Sequence, residues 1–362
     1  MRQFALASLV LFVVCCGPSL TPPLNPSAPV TGTPVGSSSG TSSGQGSNAG
    51  GASSSGSSAG GSADGGGTSG SSAGQGSSAG QGSSSGSGAG TSGGGLGHPK
   101  HTSGPFKVLF DAAHKQVVGN ADWVLDSHAT LPADPSTWNG GISAWGAALA
   151  QTGHYAVSQL ASGTLNFQQG GAGDLSQYDL FISDEPELAF ASSESAALTA
   201  FSASGGGLLL ISDHNGATRC SGCTQAWTVL NTLLADSGGL NGTLGVLFDG
   251  NDVASGGESA TTTNPLFLSG PYGSGTSITF HSGSTVSAKS NPLAQIAYAG
   301  KEGGYVAISA LTDGGRVVII GDSSPEEDGS GSTSAKLHNG WGESSNAATI
   351  MNLTAWAVGE TN

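Results

Sequence analysis

Four short runs in this chain are apolar almost without a break, and each ends in an acid or an acid–histidine pair: "FKVLFD" (Phe106–Asp111), "YDLFISDE" (Tyr178–Glu185), "LLLISDH" (Leu208–His214) and "GRVVIIGD" (Gly315–Asp322). A strand with one face in water alternates apolar and polar side chains. Runs this continuous fit strands covered on both faces. The segments between them carry apolar residues at helical spacing. "ISAWGAALAQTGH" puts Ile142, Trp145 and Leu149 on one helix face. "SESAALTAFSASGGG" turns Leu198 and Phe201 inward and stops at Gly205–Gly207, and "TQAWTVLNTLLADSGG" aligns Trp227, Leu230 and Leu234. "YAVSQL" (Tyr155–Leu160) is a further strand candidate. Strands alternating with helices predict an α/β domain of three layers around a mostly parallel sheet, flavodoxin-like in general form.

From "GVLFDG" to "AQIAYAG" the runs become short and rich in turns, which predicts a small antiparallel insert or edge. "GYVAISALTDGGRVVIIGD" reads as a C-terminal hairpin turning at "TDGG". "NAATIMNLTAWAVG" closes the chain as a helix with Ile350, Leu353 and Trp356 on one side.

The other end of the chain is different in kind. Arg2 and the apolar stretch Phe4–Val14 are too short to span a bilayer and fit an export signal. The stretch runs into Cys15-Cys16-Gly17 and resembles a bacterial lipoprotein signal, with Cys16 the better candidate for lipidation. That implies residues 1–16 as signal peptide and a cell-envelope lipoprotein held to a lipid membrane by its N-terminal anchor. Residues 17–104 are low-complexity Ser, Gly, Ala, Thr and Pro, with repeats such as "SSAGQGSSAGQGSSSG". They have too little apolar surface to offset chain entropy and read as a disordered linker or tether. Its reach is on the order of 50 Å. Residues 105–362 are then the folded domain.

Of the chain's 24 acidic and 9 basic residues, only Asp64, Arg2 and Lys100 precede residue 105, so the domain holds 23 against 7. Such an acidic surface excludes nucleic acid as a partner, because phosphate binding needs cations. It is compatible with a divalent metal ion as cofactor.

In an open α/β sheet, ligands bind beyond the carboxyl ends of the strands. The polar residues of this chain gather at those ends. Asp111 and His114 follow the first strand, with Asn120 and Asp122 beyond them. "SDEPE" brings Asp184, Glu185 and Glu187, and "SDHNGATR" brings Asp213, His214, Asn215 and Arg219. "GDSSPEEDG" crowds Asp322, Glu326, Glu327 and Asp328 around Ser323 and Ser324. The strand-proximal part, Asp322 to Ser324, is the candidate for a site, and Glu326, Glu327 and Asp328 read as a solvated rim. An EF-hand alignment of this loop leaves Ala335 where the bidentate Glu belongs, so that motif fails. "CSGC" supplies two thiolates, short of a structural zinc site. Cys220 and Cys223 read as a local disulfide or an unpaired turn. His128, His154 and His281 sit in no acidic cluster and read as surface or packing residues.

"FKVLFDAAH", "YDLFISDE", "GGGLLLISDHNG" and "GRVVIIGDSS" together resemble the class I glutamine amidotransferase-like superfamily. The resemblance is closer to its non-amidotransferase branch, which includes trehalose-utilisation-like domains and exported bacterial proteins. True amidotransferases carry a nucleophilic Cys on the turn after the strand that here ends in "LLLIS". This chain has Asp213-His214-Asn215-Gly216 there, which implies that glutaminase chemistry is absent.

Two functions fit these residues. In a metal-assisted hydrolase acting on an extracytoplasmic polar substrate, Asp111, His114, Asp213 and His214 would be metal ligands. Those four and Asp322 would carry the catalysis. Asn120, Asp184, Glu185, Asn215, Arg219, Ser323 and Ser324 would bind the substrate, Arg219 by holding an anionic group. The alternative is a non-catalytic module that binds a carbohydrate or small polar ligand, with Trp123 and Trp341 stacking on sugar rings.

Overall fold

The computed structural model describes residues 99–101, 103–116, 123–235, 240, 243–253, 256–289, 291–330 and 337–360. The expected signal, Cys16, the tether up to residue 98, Asn120 and Asp122 lie outside them. Eleven strands and five helices are described: β1 (Phe106–Asp111), α1 (Ser143–Gln151), β2 (Tyr155–Leu160), β3 (Leu180–Asp184), α2 (Ser192–Ala203), β4 (Gly207–Ile211), α3 (Ala226–Ala235), β5 (Val246–Phe248), β6 (Glu258–Thr261), α4 (Pro265–Leu268), β7 (Ser277–Phe280), β8 (Val286–Ala288), β9 (Gln295–Gly300), β10 (Gly303–Ala310), β11 (Arg316–Ile320) and α5 (Asn346–Val358).

All the strands join one sheet in the order β2-β1-β3-β4-β11-β10-β9-β6-β7, with β8 on β10 and β5 on β8. The five strands from β2 to β11 pair in parallel. Beyond β11 the pairing is antiparallel, starting with the hairpin of β10 and β11. The parallel strands form the centre of the domain. The antiparallel part is larger than the small insert expected, because its short strands extend the same sheet rather than forming a separate flap.

The continuous apolar runs have a direct cause. Successive side chains of a strand point to opposite faces, and here both faces are covered. Val108, Phe110, Ile182, Leu209, Ile211, Val318 and Ile320 pack with Trp145 and Leu149 of α1 and Ile350, Leu353 and Trp356 of α5. Leu109, Phe181, Leu208, Leu210, Val317 and Ile319 pack on the other face with Leu198 and Phe201 of α2 and Leu230, Leu233 and Leu234 of α3. The three expected layers are therefore present around the parallel strands.

Two ends of this frame depend on distant residues. Ile142 gives α1 no side-chain cap. Instead Asp328 accepts from the Ser143 hydroxyl at 2.6 Å and the Ala144 N–H at 3.2 Å, which satisfies orphan donors of the first turn. The chain also docks on the domain ahead of residue 105. The Lys100 ammonium donates to the Ser176 and Tyr178 carbonyls, and His101 lies 2.5 Å from the Asp179 carboxylate.

Trp145 is fully buried, meets Phe110 edge-on at 5.1 Å, and its indole N–H has no partner. Trp145→Ala is expected to cost about 3–5 kcal/mol in denaturant unfolding. Trp145→Phe, which loses no hydrogen bond and leaves a smaller cavity, should cost clearly less than Trp145→Ala. Equal losses for the two would show that packing volume does not set the contribution of this residue.

Candidate functional site

Strands β1, β3, β4 and β11 are neighbours and parallel, so their carboxyl ends lie side by side on one edge. The polar residues that follow them form two centres there, with separate partners.

The first centre lies under α2 and is closed. The Asp111 carboxylate accepts from the Gln116 amide at 2.6 Å, the Ser183 hydroxyl at 3.0 Å and His114 Nδ1 at 2.9 Å. His114 Nε2 lies 3.3 Å from Glu194, and its ring lies against Phe190 at 4.2 Å. Burial opposes the charged imidazole, but Asp111 and Glu194 outweigh it and raise the His114 pKa. Both ring nitrogens are occupied and the residue is 3 % exposed. This histidine holds the loop after β1 to α2. It has no free nitrogen for a metal or substrate.

The second centre opens to solvent. Arg219 donates to Glu185, to Asp213 at 2.6 Å and to the Ala217 carbonyl at 3.1 Å. Burial alone would lower its pKa, but Glu185 and Asp213 outweigh burial and raise it. The guanidinium is a buried counter-charge rather than a free hand for an anionic substrate group. Above it is a cavity of about 250 Å³ whose polar walls include His214, His281, His338, Ser323, Ser324 and Glu327. His214 is half-buried, and its Nδ1 lies 2.8 Å from the Asn215 carbonyl. The Ser323 hydroxyl donates to Glu185 and the Ser324 hydroxyl to Asp322 at 2.8 Å. The Asp322 carboxylate points at Ser324 and at the His281 N–H, which it accepts at 2.5 Å, rather than at His214. Glu185 and Ser282 border this centre with φ of 43° and 84°, a left-handed backbone that non-glycine residues adopt only at a cost.

Three expectations change here. Asp111 and His114 do not converge with Asp213 and His214, because each pair is already committed to different partners. Among the described residues, the only group of three potential ligand atoms within 4.8 Å of one another is Glu187, Cys220 and Cys223. Those two sulfurs are joined as a disulfide, so they offer no thiolates. Glu326 and Glu327 are not a solvated rim: they are 0 % and 3 % exposed. The chain turns inward at Pro325 because the 338–342 segment lies directly on it. A Cβ on Gly340 would fall 1.8 Å from the Ser324 carbonyl. Asp328 caps α1 instead of facing water. Trp123 and Trp341 do not line the cavity. The Trp123 indole N–H donates to the Asn139 carbonyl, and Trp341 packs against the core.

His281 and His338 are the residues that the strand-end reasoning missed. Their rings stack at 4.4 Å, and His281 Nε2 lies 2.8 Å from Glu343. His281 directly follows β7, but unlike His214 it has no acid beside it in sequence. Nothing near His338 in the sequence marks it.

Several acids beneath the cavity bind protons more tightly than exposed carboxylates. Burial and then neighbouring Asp213 push Asp322 up to about 6. Burial and then Asp322 push Glu327 up to about 8. Asp184, Glu185 and Glu326 are also raised well above the usual carboxylate range, burial being the main cause. His338 is pushed down by burial and by His281 beside it.

No protein-family model matches the chain, and no curated protein matches it. Several solved structures are similar at low identity, among them these three. The mmIFT52 N-terminal domain is 15% identical over 69% of this chain and 96% of that one, with a TM-score of 0.46. A cytoplasmic protein from Salmonella typhimurium is 11% identical over 70% and 98%, with a TM-score of 0.43. A ThuA-like protein from Parabacteroides merdae is 10% identical over 71% and 92%, with a TM-score of 0.41.

Two outcomes are expected at this site. Arg219→Met leaves Glu185 and Asp213 buried without their counter-charge and should cost about 3–5 kcal/mol in urea unfolding at pH 7. A loss below about 1 kcal/mol would remove the guanidinium from its structural role. Glu327 binds a proton more tightly folded than unfolded, so its contribution is complete below the ordinary carboxylate pKa and fades as pH rises toward about 8. The melting temperature of the wild type should therefore fall relative to Glu327→Gln between pH 4.5 and 8.5. Parallel curves for the two proteins would contradict the raised pKa.

Proposed function

We propose that residues 105–362 form a domain that takes a small, uncharged, hydroxyl-rich ligand, of the sugar or polyol class, into the cavity above Arg219. The observation that carries this reading is the state of that guanidinium: among the described residues, the one Lys or Arg group in the cavity wall is already shared by Glu185 and Asp213, so none of those described is left for a phosphate or carboxylate. The imidazoles and hydroxyls of His214, His281, His338, Ser323 and Ser324 provide donors and acceptors suited to sugar hydroxyls. The parallel strand order β2-β1-β3-β4-β11 supports a flavodoxin-like, glutamine amidotransferase-like core, with the ligand at its carboxyl edge. On the resemblance read from the sequence, Asp213-His214-Asn215-Gly216 takes the place of an amidotransferase's nucleophile turn, and Cys220 is in a disulfide, which supports the reading that glutaminase chemistry is absent. We further propose, from the sequence, that the domain is exported and held at the cell envelope by a lipidated Cys16 and its Ser/Gly-rich tether.

A hydrolytic version of the same site is favoured by one observation. Glu327 is pushed up and His338 pushed down, and both face the cavity. At neutral pH that pairs a protonated acid with a neutral base, the arrangement that general acid–base catalysis needs. The metal-assisted version through Asp111, His114, Asp213 and His214 has less support, because the two pairs have separate partners.

A thermal-shift panel of neutral sugars, polyols and the corresponding sugar phosphates tests this reading. Neutral ligands should raise the melting temperature, their phosphates should not, and Ser324→Ala with His214→Ala should abolish the response. Preference for the phosphates would overturn it. Turnover of a stabilising glycoside, lost in Glu327→Gln, would convert the binding site into a hydrolase.

A further inference from the structure

The turn "CSGC" lies against the loop that follows β3. Glu187 of that loop is 2 % exposed, and Cys220 and Cys223 are half-buried. Backbone bonds fix Glu187 on both sides: its N–H donates to the His114 carbonyl at 3.0 Å, and its carbonyl accepts from the Thr224 N–H at 2.9 Å. Its side chain reaches the same turn. Oε1 accepts from the Arg219 N–H at 2.6 Å, and the Cys220 N–H acts on the same carboxyl group. Oε2 is buried and has no hydrogen-bond partner. One carboxylate oxygen of Glu187 and the two sulfurs lie within 4.8 Å of one another. The turn is closed by the Cys223 N–H donating to the Cys220 carbonyl at 3.3 Å, and Gly222 takes the left-handed φ of 80° that it needs. The sulfurs are joined as a disulfide. A disulfide offers neither a proton nor a charge to the carboxylate beside it, and a buried oxygen left unpaired is costly. Two thiols, or a cation held by two thiolates, would supply what that oxygen lacks.

We propose that Cys220, Cys223 and Glu187 form a redox-gated site for a thiophilic divalent cation of the zinc class, closed as the disulfide and open as the dithiol. A dithiol reductant delivers two electrons and two protons to the S–S bond and is itself oxidised to a disulfide, leaving two thiols on this chain. The cation then displaces both thiol protons into solvent and is held by two thiolates and the Glu187 carboxylate. Sulfur ligands with one carboxylate suit zinc rather than calcium or magnesium. Three protein ligands leave the fourth tetrahedral position to water. The pair of cysteines is short of a site in sequence, and the third donor comes from a different loop. The site differs from the one expected at Asp111, His114, Asp213 and His214, and it stands whether or not the cavity binds a sugar. Because Cys220 follows Arg219 directly, the state of the sulfurs bears on the loop that carries the guanidinium.

Cobalt(II) chloride is the probe, added to the full chain carrying Cys15→Ser and Cys16→Ser so that Cys220 and Cys223 are its only cysteines. The oxidised protein should show no thiolate-to-cobalt charge-transfer absorption. After treatment with a dithiol reductant, and its removal under argon, one cobalt ion per chain should bind with that absorption. Zinc chloride should displace it, and reoxidation should abolish it. Glu187→Gln in the same background should bind at least about tenfold more weakly, since even outer-shell partners of a metal carry that much. If that variant fails to fold, a free peptide of residues 218–225 takes its place, and the folded chain should bind zinc more tightly than this peptide, which has both thiolates and no Glu187. Equal affinities in either comparison show an ordinary chelating turn and overturn the proposal. So does a reduced chain without the absorption, or an oxidised chain with it. A disulfide that survives the reductant in the folded chain, read by thiol labelling, rejects the gating outright.

Discussion

One guanidinium among buried carboxylates organises the carboxyl edge of the sheet. Arg219 lies on the loop after β4, bonds to Glu185 beyond β3 and to Asp213 beyond β4, and so ties two strand ends to its own loop. Ser323 carries the tie to β11 by donating to the same Glu185. Acids this deeply placed would otherwise be protonated or expelled to the surface. The cavity floor is held together in this way, and the guanidinium in its wall is already shared by Glu185 and Asp213.

The sheet explains why the acids collect there. Its parallel strands are covered on both faces by helices, so their side chains have no polar work along their length. Polar residues are confined to the ends, and the parallel direction puts the carboxyl ends together. The cover of the floor is then completed from far away in sequence: the 338–342 segment lies on Ser324 and Pro325, and Asp328 caps α1.

Much of the fold was legible because its signals are local. β2 spans the residues expected, the stop of α2 follows from Gly205 in the left-handed region, and the β10–β11 turn lies at "TDGG". The site was legible only in part. Strand-end logic found Asp213, His214, Arg219, Ser323 and Ser324 at the cavity. It also selected Asp111 and His114, which are a closed structural pair, because a His beside an acid looks the same whether its nitrogens are free or bonded. It set aside His281, whose acid partner Glu343 lies 62 residues away in sequence, and it overlooked His338, which has no sequence mark.

By itself the sequence determined the layered α/β core, the acidic charge of the domain, and the gathering of polar residues at strand ends. These follow from periodicity and composition, which act over a few neighbouring residues. Only the tertiary structure decided which acids share a charge partner, which histidines face the cavity, and whether "GDSSPEEDG" is wet or buried. Four carboxylates in seven residues normally stay in water. Here Glu326 and Glu327 are enclosed because segments far apart in sequence close over them, and the free energy of enclosing a charge depends on those distant neighbours rather than on adjacent residues.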